Sequence, residues 1–367
     1  MKEIRIGMKI IEKRKEKGLT QEELADYLGI SKPAVSKWES GQSYPDITLL
    51  PVIASYFDIS VDELFDYQPQ MNKLEIRKLY RRLSQRFTEV GFDEAHQEWS
   101  GYVKKYYSCW PLLMNMGILL MNQVNLVSSQ AKMEEVLSEA IHLFDRIETC
   151  GDDPKLIRQI PLLKASAHLM MGHASEVIDL LEGTQEILMT PDIPLASAYM
   201  MKQENAKAIS LLQGSIFINL ISILSAYPTL LNLYKDDQAS LDRWVSSANK
   251  LIEAFGMDKA HPATVLPFHI TAAAIFLGNH RIDEALDHLE AYADIVCSPG
   301  LLPITLHTTH LFNKIDGLIE TLDLGNAAPR SDDAVKQSIK EVILNPAFGS
   351  LADNERFKRI VRDIEAL

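Results

Sequence analysis

The sequence predicts an all-α protein in three stretches: a small five-helix domain at 1–66, an amphipathic helix within 67–90, and a long helical body at 91–367. Three observations predict it. Apolar residues recur at helical spacing nearly throughout, and strand-like alternation is absent. Glycine and proline punctuate the chain at short intervals, among them Gly91, Pro111, Gly172, Pro228 and Gly278. Hydrophobic residues make up 47% and charged residues 24% of 367 residues, enough to bury a large core without disulfides or metals.

In residues 1–66, Ile6, Ile10 and Ile11 give the first helix an apolar face, and Gly18 stops it. Thr20 caps a second helix at 21–28, with Glu23 three residues on to complete a capping box. Gly29 supplies the left-handed residue of a tight turn. Ser31 caps the third helix, whose first turn takes Pro33 without losing a donor. Asp46 caps a fourth helix reaching about residue 57, and 61–65 forms a last short turn.

The linker is expected at 66–71. In the helix that follows, Ile76, Leu79, Tyr80, Leu83, Phe87 and Val90 share one face. Lys73, Arg77, Lys78, Arg81, Arg82 and Arg86 cover the rest. Three roles suit such a helix: contact with a nucleic-acid backbone, a dimer seam, or an ordinary solvated helix packed on the body. The last is favoured, because Lys and Arg are what exposed helix faces carry.

Charge is uneven. The chain carries −13 in all; residues 1–68 hold 9 basic and 12 acidic groups, and 69–105 hold 8 and 5. Positive charge collects in 1–17 and 73–86, while the acidic body makes a cationic or apolar ligand more plausible there than an anionic one. On the third helix, at 100° per residue, Ala34, Val35 and Trp38 fall on one face and Lys32, Pro33, Ser36 and Lys37 on the other. One face packs; the other offers two cations and a hydroxyl, the side chains that donate to base edges in a major groove.

The run Leu19-Thr20-Gln21-Glu22-Glu23-Leu24-Ala25, then Leu28-Gly29-Ile30-Ser31, then Val35-Ser36-Lys37-Trp38-Glu39-Ser40-Gly41 and Pro45 resembles the XRE (lambda-repressor/Cro-like) helix-turn-helix family. The resemblance implies that Gln21 bonds a phosphate and braces the recognition helix. It implies phosphate contacts for Ser31, Gln42, Ser43 and Tyr44, and base readout by Lys32, Pro33, Ser36 and Lys37. Arg14 is expected to pair with Glu39, holding helix one to helix three. A single module of this size makes few phosphate contacts, so a homodimer on a two-fold double-stranded DNA operator is expected.

In the body, small residues precede bulky ones on successive helices. Ala272, Ala273 and Phe276, then Ala285, Leu286, Leu289 and Tyr292, resemble a tetratricopeptide repeat, and the rest a degenerate α-solenoid. The segment from Asn345 through Phe348 and Leu351 to Ile360 resembles its closing helix. An XRE head on such a body resembles the peptide-pheromone receptors of the RRNPP group. That layout implies a peptide or small-molecule effector, with asparagines gripping peptide backbone; Asn115, Asn122, Asn125, Asn219 and Asn232 are the candidates. Met114, Met116, Met121, Met170, Met171, Met200 and Met201, with Tyr106, Tyr107 and Trp110, line a pocket or, more plainly, fill the core.

Other chemistries find little support. His168 with His173 and His307 with His310 lack a third ligand, so no metal and no cofactor is expected. No phosphate loop, dinucleotide fingerprint, nucleophile elbow or HExxH occurs, so no enzyme is expected. Cys109, Cys150 and Cys297 are dispersed, and the N-terminus is charged, which suits a cytoplasmic protein without a signal peptide. The apolar run 214–227 is expected to be a buried helix too short to span a bilayer. The sequence thus predicts a transcriptional regulator whose helical body senses a ligand. The alternative is a DNA-tethered adaptor or antitoxin-like module that recruits a protein.

Overall fold

The structure, a computed structural model, describes residues 6–65, 70–184, 190–299, 301–302, 306, 308–322 and 329–367. Regular elements among the described residues are all helical. The chain divides into two compact units: Met1–Met71 with Lys105–Cys109, and Asn72–Lys104 with Trp110–Leu367.

The first unit, the head, contains α1 (Ile6–Glu16), α2 (Gln21–Leu28), α3 (Lys32–Glu39), α4 (Leu50–Tyr56, entered through a 3₁₀ turn at Ile47–Leu49) and α5 (Val61–Leu64). The capping box forms as the sequence predicts: Thr20 Oγ1 accepts from Glu23 N, and Glu23 Oε2 accepts from Thr20 N at 2.7 Å. Gly29 closes α2 in the left-handed region at φ 67°. Asp46 accepts from Thr48 N at the start of the 3₁₀ turn. Ile6, Ile10, Leu24, Val35, Trp38, Ile53 and Leu64 are buried together. Gly7 sits where α1 meets the end of α3; a Cβ there would stand 2.0 Å from the Trp38 carbonyl oxygen. The absent side chain sets that close approach.

The second unit, the body, runs through α6 (Lys73–Val90), α7 (Phe92–Lys105), α8 (Trp110–Gln123), α9 (Gln130–Cys150), α10 (Pro154–Ile157), α11 (Ile160–Met170) and α12 (Ala174–Leu181). It continues with α13 (Asp192–Met201), α14 (Asn205–Leu233), α15 (Gln238–Phe255), α16 (Met257–Ala260), α17 (Pro262–Gly278) and α18 (Ile282–Val296). It ends with α19 (Asp316–Thr321), α20 (Asp332–Ile343) and α21 (Glu355–Glu365). Neighbouring helices pack as hairpins: α8 on α9, α11 on α12, α13 on α14, and α17 on α18. In the α17–α18 hairpin, Ala272, Ala273, Phe276, Ala285, Leu286, Leu289 and Tyr292 are all buried, so small residues admit bulky ones as the sequence predicts. Phe348, Leu351, Phe357 and Ile360 close the end against Leu286 and Leu289.

Two expectations are corrected. Pro228, taken as a loop signal, lies inside α14, which runs for 29 residues. The run 214–227 is therefore part of a helix long and apolar enough, by length and composition, to cross a membrane, with only 28% of its most apolar window buried. Its inward line is Phe217, Leu220, Leu224, Tyr227 and Leu231, packed with residues of α15 and α17, while Ile209, Ile216, Ile218 and Ile223 are exposed. One inward line is enough to hold a helix in an array of helices, so apolar content overstated burial.

Candidate nucleic-acid interface

The head is organised around one buried carboxylate. Arg14 Nε and Nη2 donate to Glu39 Oε1 and Oε2 at 2.6 and 2.9 Å. Arg14 Nη1 donates to the Leu19 carbonyl at 2.6 Å, and Gln21 Nε2 donates to Glu39 Oε2 at 2.7 Å. One glutamate thus ties α1, the start of α2 and the end of α3. Burial raises the Glu39 pKa, but the bonds from Arg14 and Gln21 and the Arg14 charge outweigh it and hold the carboxyl below its usual range. The expected Arg14–Glu39 pair is present. Gln21 joins it as the third member from the first turn of α2, so it meets the end of α3 as the resemblance implies, through Glu39.

With Val35 and Trp38 buried beneath it, α3 presents Lys32, Pro33, Ser36 and Lys37 to solvent. Lys37 Nζ has no ion-pair partner among the described residues, whereas Lys32 Nζ lies 3.2 Å from Glu22 Oε2 in an exposed pair. Such pairs are worth little, so Lys32 remains exchangeable for another anion. Ser31 stands at the N-cap with extended backbone, but its side chain makes no capping bond, contrary to expectation. Its hydroxyl is exposed and unused. The following loop is pinned to α3: Gln42 N and Ser43 N both donate to the Lys37 carbonyl, at 2.9 and 3.3 Å. Gln42 and Tyr44 are exposed there, Ser43 half-buried. Seven of the nine expected side chains therefore lie exposed on α3 and its flanks; Gln21 is engaged in the brace and Ser43 is partly covered.

The second basic helix differs. In α6, Lys73 and Arg77 donate to carbonyls at Glu320, Thr321 and Leu322, and Arg82 and Arg86 pair with Glu98 and Glu94. Ile76, Leu79, Tyr80, Leu83 and Phe87 are buried in the body. Its apolar face is thus already used, which removes the dimer-seam reading.

Among the other candidates, Asn122, Asn125, Met121 and Met170 line one cavity of the body, and the rest scatter. Asn115 is buried and donates to the Pro111 carbonyl; Asn219 and Asn232 bond carbonyls four residues back in α14. Asn122 donates to Tyr80 Oη at 2.9 Å. Met114, Met116 and Met171 are core; Met200 and Met201 are exposed. His168 and His173 face each other with Nδ1 atoms 3.5 Å apart, and His307 lies outside the described residues. No group of three or more potential metal ligands occurs among the described residues.

Comparison with known proteins bears on the head. Residues 10–64 match the helix-turn-helix family (HTH_3), and the N-terminal unit is an XRE-type helix-turn-helix domain. The HTH-type transcriptional activator BcrR of Enterococcus faecalis is 37% identical over 78 residues, covering 20% of this chain and 38% of that protein. The uncharacterized HTH-type transcriptional regulator YqaE of Bacillus subtilis (strain 168) is 45% identical over 51 residues, 14% of this chain and 44% of that protein. The cryptic phage CTXphi transcriptional repressor RstR of Vibrio cholerae is 38% identical over 61 residues, 17% of this chain and 54% of that protein. The chain therefore spans about half or less of these relatives' lengths. Among solved structures, Bacillus thuringiensis PlcR in complex with the peptide PapR7 and DNA aligns with a TM-score of 0.30 at 16% identity, over 80% of this chain and 96% of that one. Apo ComR from S. thermophilus aligns with a TM-score of 0.25 at 16% identity, over 80% and 93%.

Proposed function

We propose that this protein is a DNA-binding transcriptional regulator that acts as a homodimer on a two-fold operator. The observation that carries the reading is the outer surface of α3. Two lysines, a serine and a proline stand exposed, Lys32 in a surface pair with Glu22, on a helix whose inner face is locked by Val35, Trp38 and the Arg14–Glu39–Gln21 brace. A braced helix with a cationic exposed face is built to enter a major groove. Lys32, Pro33, Ser36 and Lys37 read bases; Ser31, Gln42, Ser43 and Tyr44 hold phosphates; Gln21 positions α3 and adds a phosphate contact. A module of this size buries about 600–1,000 Å² on DNA, so two copies supply the specificity. The helical body responds to a peptide or small molecule, and it contains clefts of suitable size. One, of about 550 Å³, is lined by Leu195, Tyr199, Leu211, Ile218, Asn219 and Leu318. The proposed setting is the cytoplasm.

The test is operator selection from random duplexes with the full chain, followed by fluorescence anisotropy. Lys37→Ala is expected to lose discrimination at one base position, and Gln21→Ala to lose affinity on every sequence. Uniform loss for Lys37→Ala would remove it from the reading set. Failure to enrich a palindromic site would sink the two-fold model.

A further inference from the structure

A second cavity in the body, of about 460 Å³, lies among α8, α11 and α20 and is lined by Asn122, Asn125, Met170, Arg330, Glu341 and Asn345, among others. Arg330 is its unusual member. The guanidinium is half-buried and holds one hydrogen bond, from Nη2 to Ser338 Oγ at 3.0 Å. Its Nε is closed off from solvent and has no partner. No carboxylate lies within ion-pair distance of it among the described residues. Arg281 and Arg356, also half-buried, each hold two or more. Glu341 lines the same cavity, but one of its oxygens accepts from Gln337 Nε2 instead. A sheltered guanidinium with unused donors is costly to keep, and a carboxylate is the group that matches its fork.

The surroundings are pre-set. The Pro329 carbonyl accepts from Tyr80 Oη at 3.3 Å, and Ser331 Oγ bonds Thr88 Oγ1 at 2.8 Å, so the backbone on both sides of Arg330 is fixed against α6. Asn122 spends its Nδ2 on Tyr80 and keeps its carbonyl as an acceptor; Asn345 spends its Oδ1 on Ala347 N and keeps its amide donors. The cavity therefore offers a cation, an amide acceptor and amide donors, with Met121, Met170 and Val342 as apolar wall. We propose that it binds a small carboxylate that also carries an amide or amine, its carboxylate on Arg330 and its other polar group among Asn122, Asn125 and Asn345. Burial holds the Arg330 pKa down, opposed by the Glu341 charge, which agrees with a cation short of a partner. The net charge of the body favours a cationic or apolar ligand, so the local cation is set here against the global charge. Two sources share this chemistry, a peptide C-terminus and a free amino acid.

The inference rests on the effector reading only for its consequence, because binding is tested on the full chain without DNA. The Nε–Hε resonance of Arg330, assigned by its loss in Arg330→Lys, is followed by NMR during titration with three probes. These are N-acetyl-dialanine, its C-terminal amide, and free alanine. Saturable shifts with a carboxylate probe at a Kd of about 1 mM or tighter, and none with the amide, are expected. Response to N-acetyl-dialanine alone names a peptide end as the source, and response to alanine alone names an amino acid. Thermal-shift titration of Arg330→Lys is expected to show about tenfold weaker binding, because an ammonium lacks the fork. Equal response to the amide probe, or no response to either carboxylate, overturns the proposal. An operator-binding defect would leave this titration unchanged, so the two readings fail separately.

Discussion

The head and the body bury polar groups in opposite ways. The head encloses a charged pair, Arg14 and Glu39, whose side chains are only 12% and 6% exposed. The body encloses a neutral pair, His269 on α17 and His288 on α18, with Nδ1 atoms 2.9 Å apart among Phe268 and Phe276. One ring must donate and the other accept, so the contact exists only while at least one Nδ1 carries no proton. Burial, with the His288 charge second, pushes His269 down to about 3. Burial, opposed by the Asp287 charge, pushes His288 down to about 4. The buried pair of the head is thus held by keeping charge and the histidine pair of the body by excluding it, which gives the two pairs different acid limits.

The largest expected effect lies in the body. Unfolded histidine takes up a proton near pH 6.5, and the folded pair does not until well below that. Under pH 6.5 the unfolded chain binds more protons, so stability falls with pH by about 1.4 kcal/mol per unit for each imidazole, or about 4 kcal/mol by pH 5. Hydrogen-exchange mass spectrometry on the full chain, corrected for intrinsic rates, is expected to show α17 and α18 losing protection between pH 7 and 5. The double variant His269→Phe/His288→Phe is expected to flatten that dependence. Full protection at pH 5 would mean that the pair is not neutral.

Next comes the head. Glu39→Ala leaves Arg14 without its carboxylate and is expected to cost about 3 kcal/mol, seen as faster exchange in α1 and α3. Because the folded Glu39 pKa is lowered, its contribution is present above the unfolded value near 4.3 and is lost as pH falls through the folded one. The head is therefore expected to keep its protection over the window in which the body loses it. Parallel loss in both units would break the comparison.

The contrast also marks how far the sequence was legible. The capping box of Thr20 and Glu23, the left-handed Gly29 and the Arg14–Glu39 pair follow from short spacings and known turn chemistry, and all are present. The split of α3 into a buried and an exposed face was legible for the same reason. The His269–His288 contact was not: the residues are 19 apart and meet only because two helices pack as a hairpin with that rotation. Arg330 and its cavity bring together residues from α8, α11 and α20 that are far apart in the chain, which local pattern does not record. Pro228 misled because a helix tolerates an internal proline when its neighbours hold it, and sequence punctuation carries no record of neighbours.

A smaller effect separates the two basic helices. Lys37→Ala is expected to lower specific affinity by about 1–3 kcal/mol at one operator position, without changing the stability of the head. Loss of stability with no loss of specificity would instead make Lys37 a folding residue.

The smallest effect is expected in α6. Four of its six cations are spent on carbonyls and carboxylates of the body, and the other two, Lys78 and Arg81, are exposed. Were these two to touch DNA phosphates, each would add about 0.9 to the slope of log affinity against log salt. The double variant Lys78→Ala/Arg81→Ala is expected to leave both operator affinity and that slope unchanged, measured by anisotropy across a salt series. A slope lower by about two would show that α6 extends the DNA contact of α3. Positive charge alone would then have been the better guide than what that charge is bonded to.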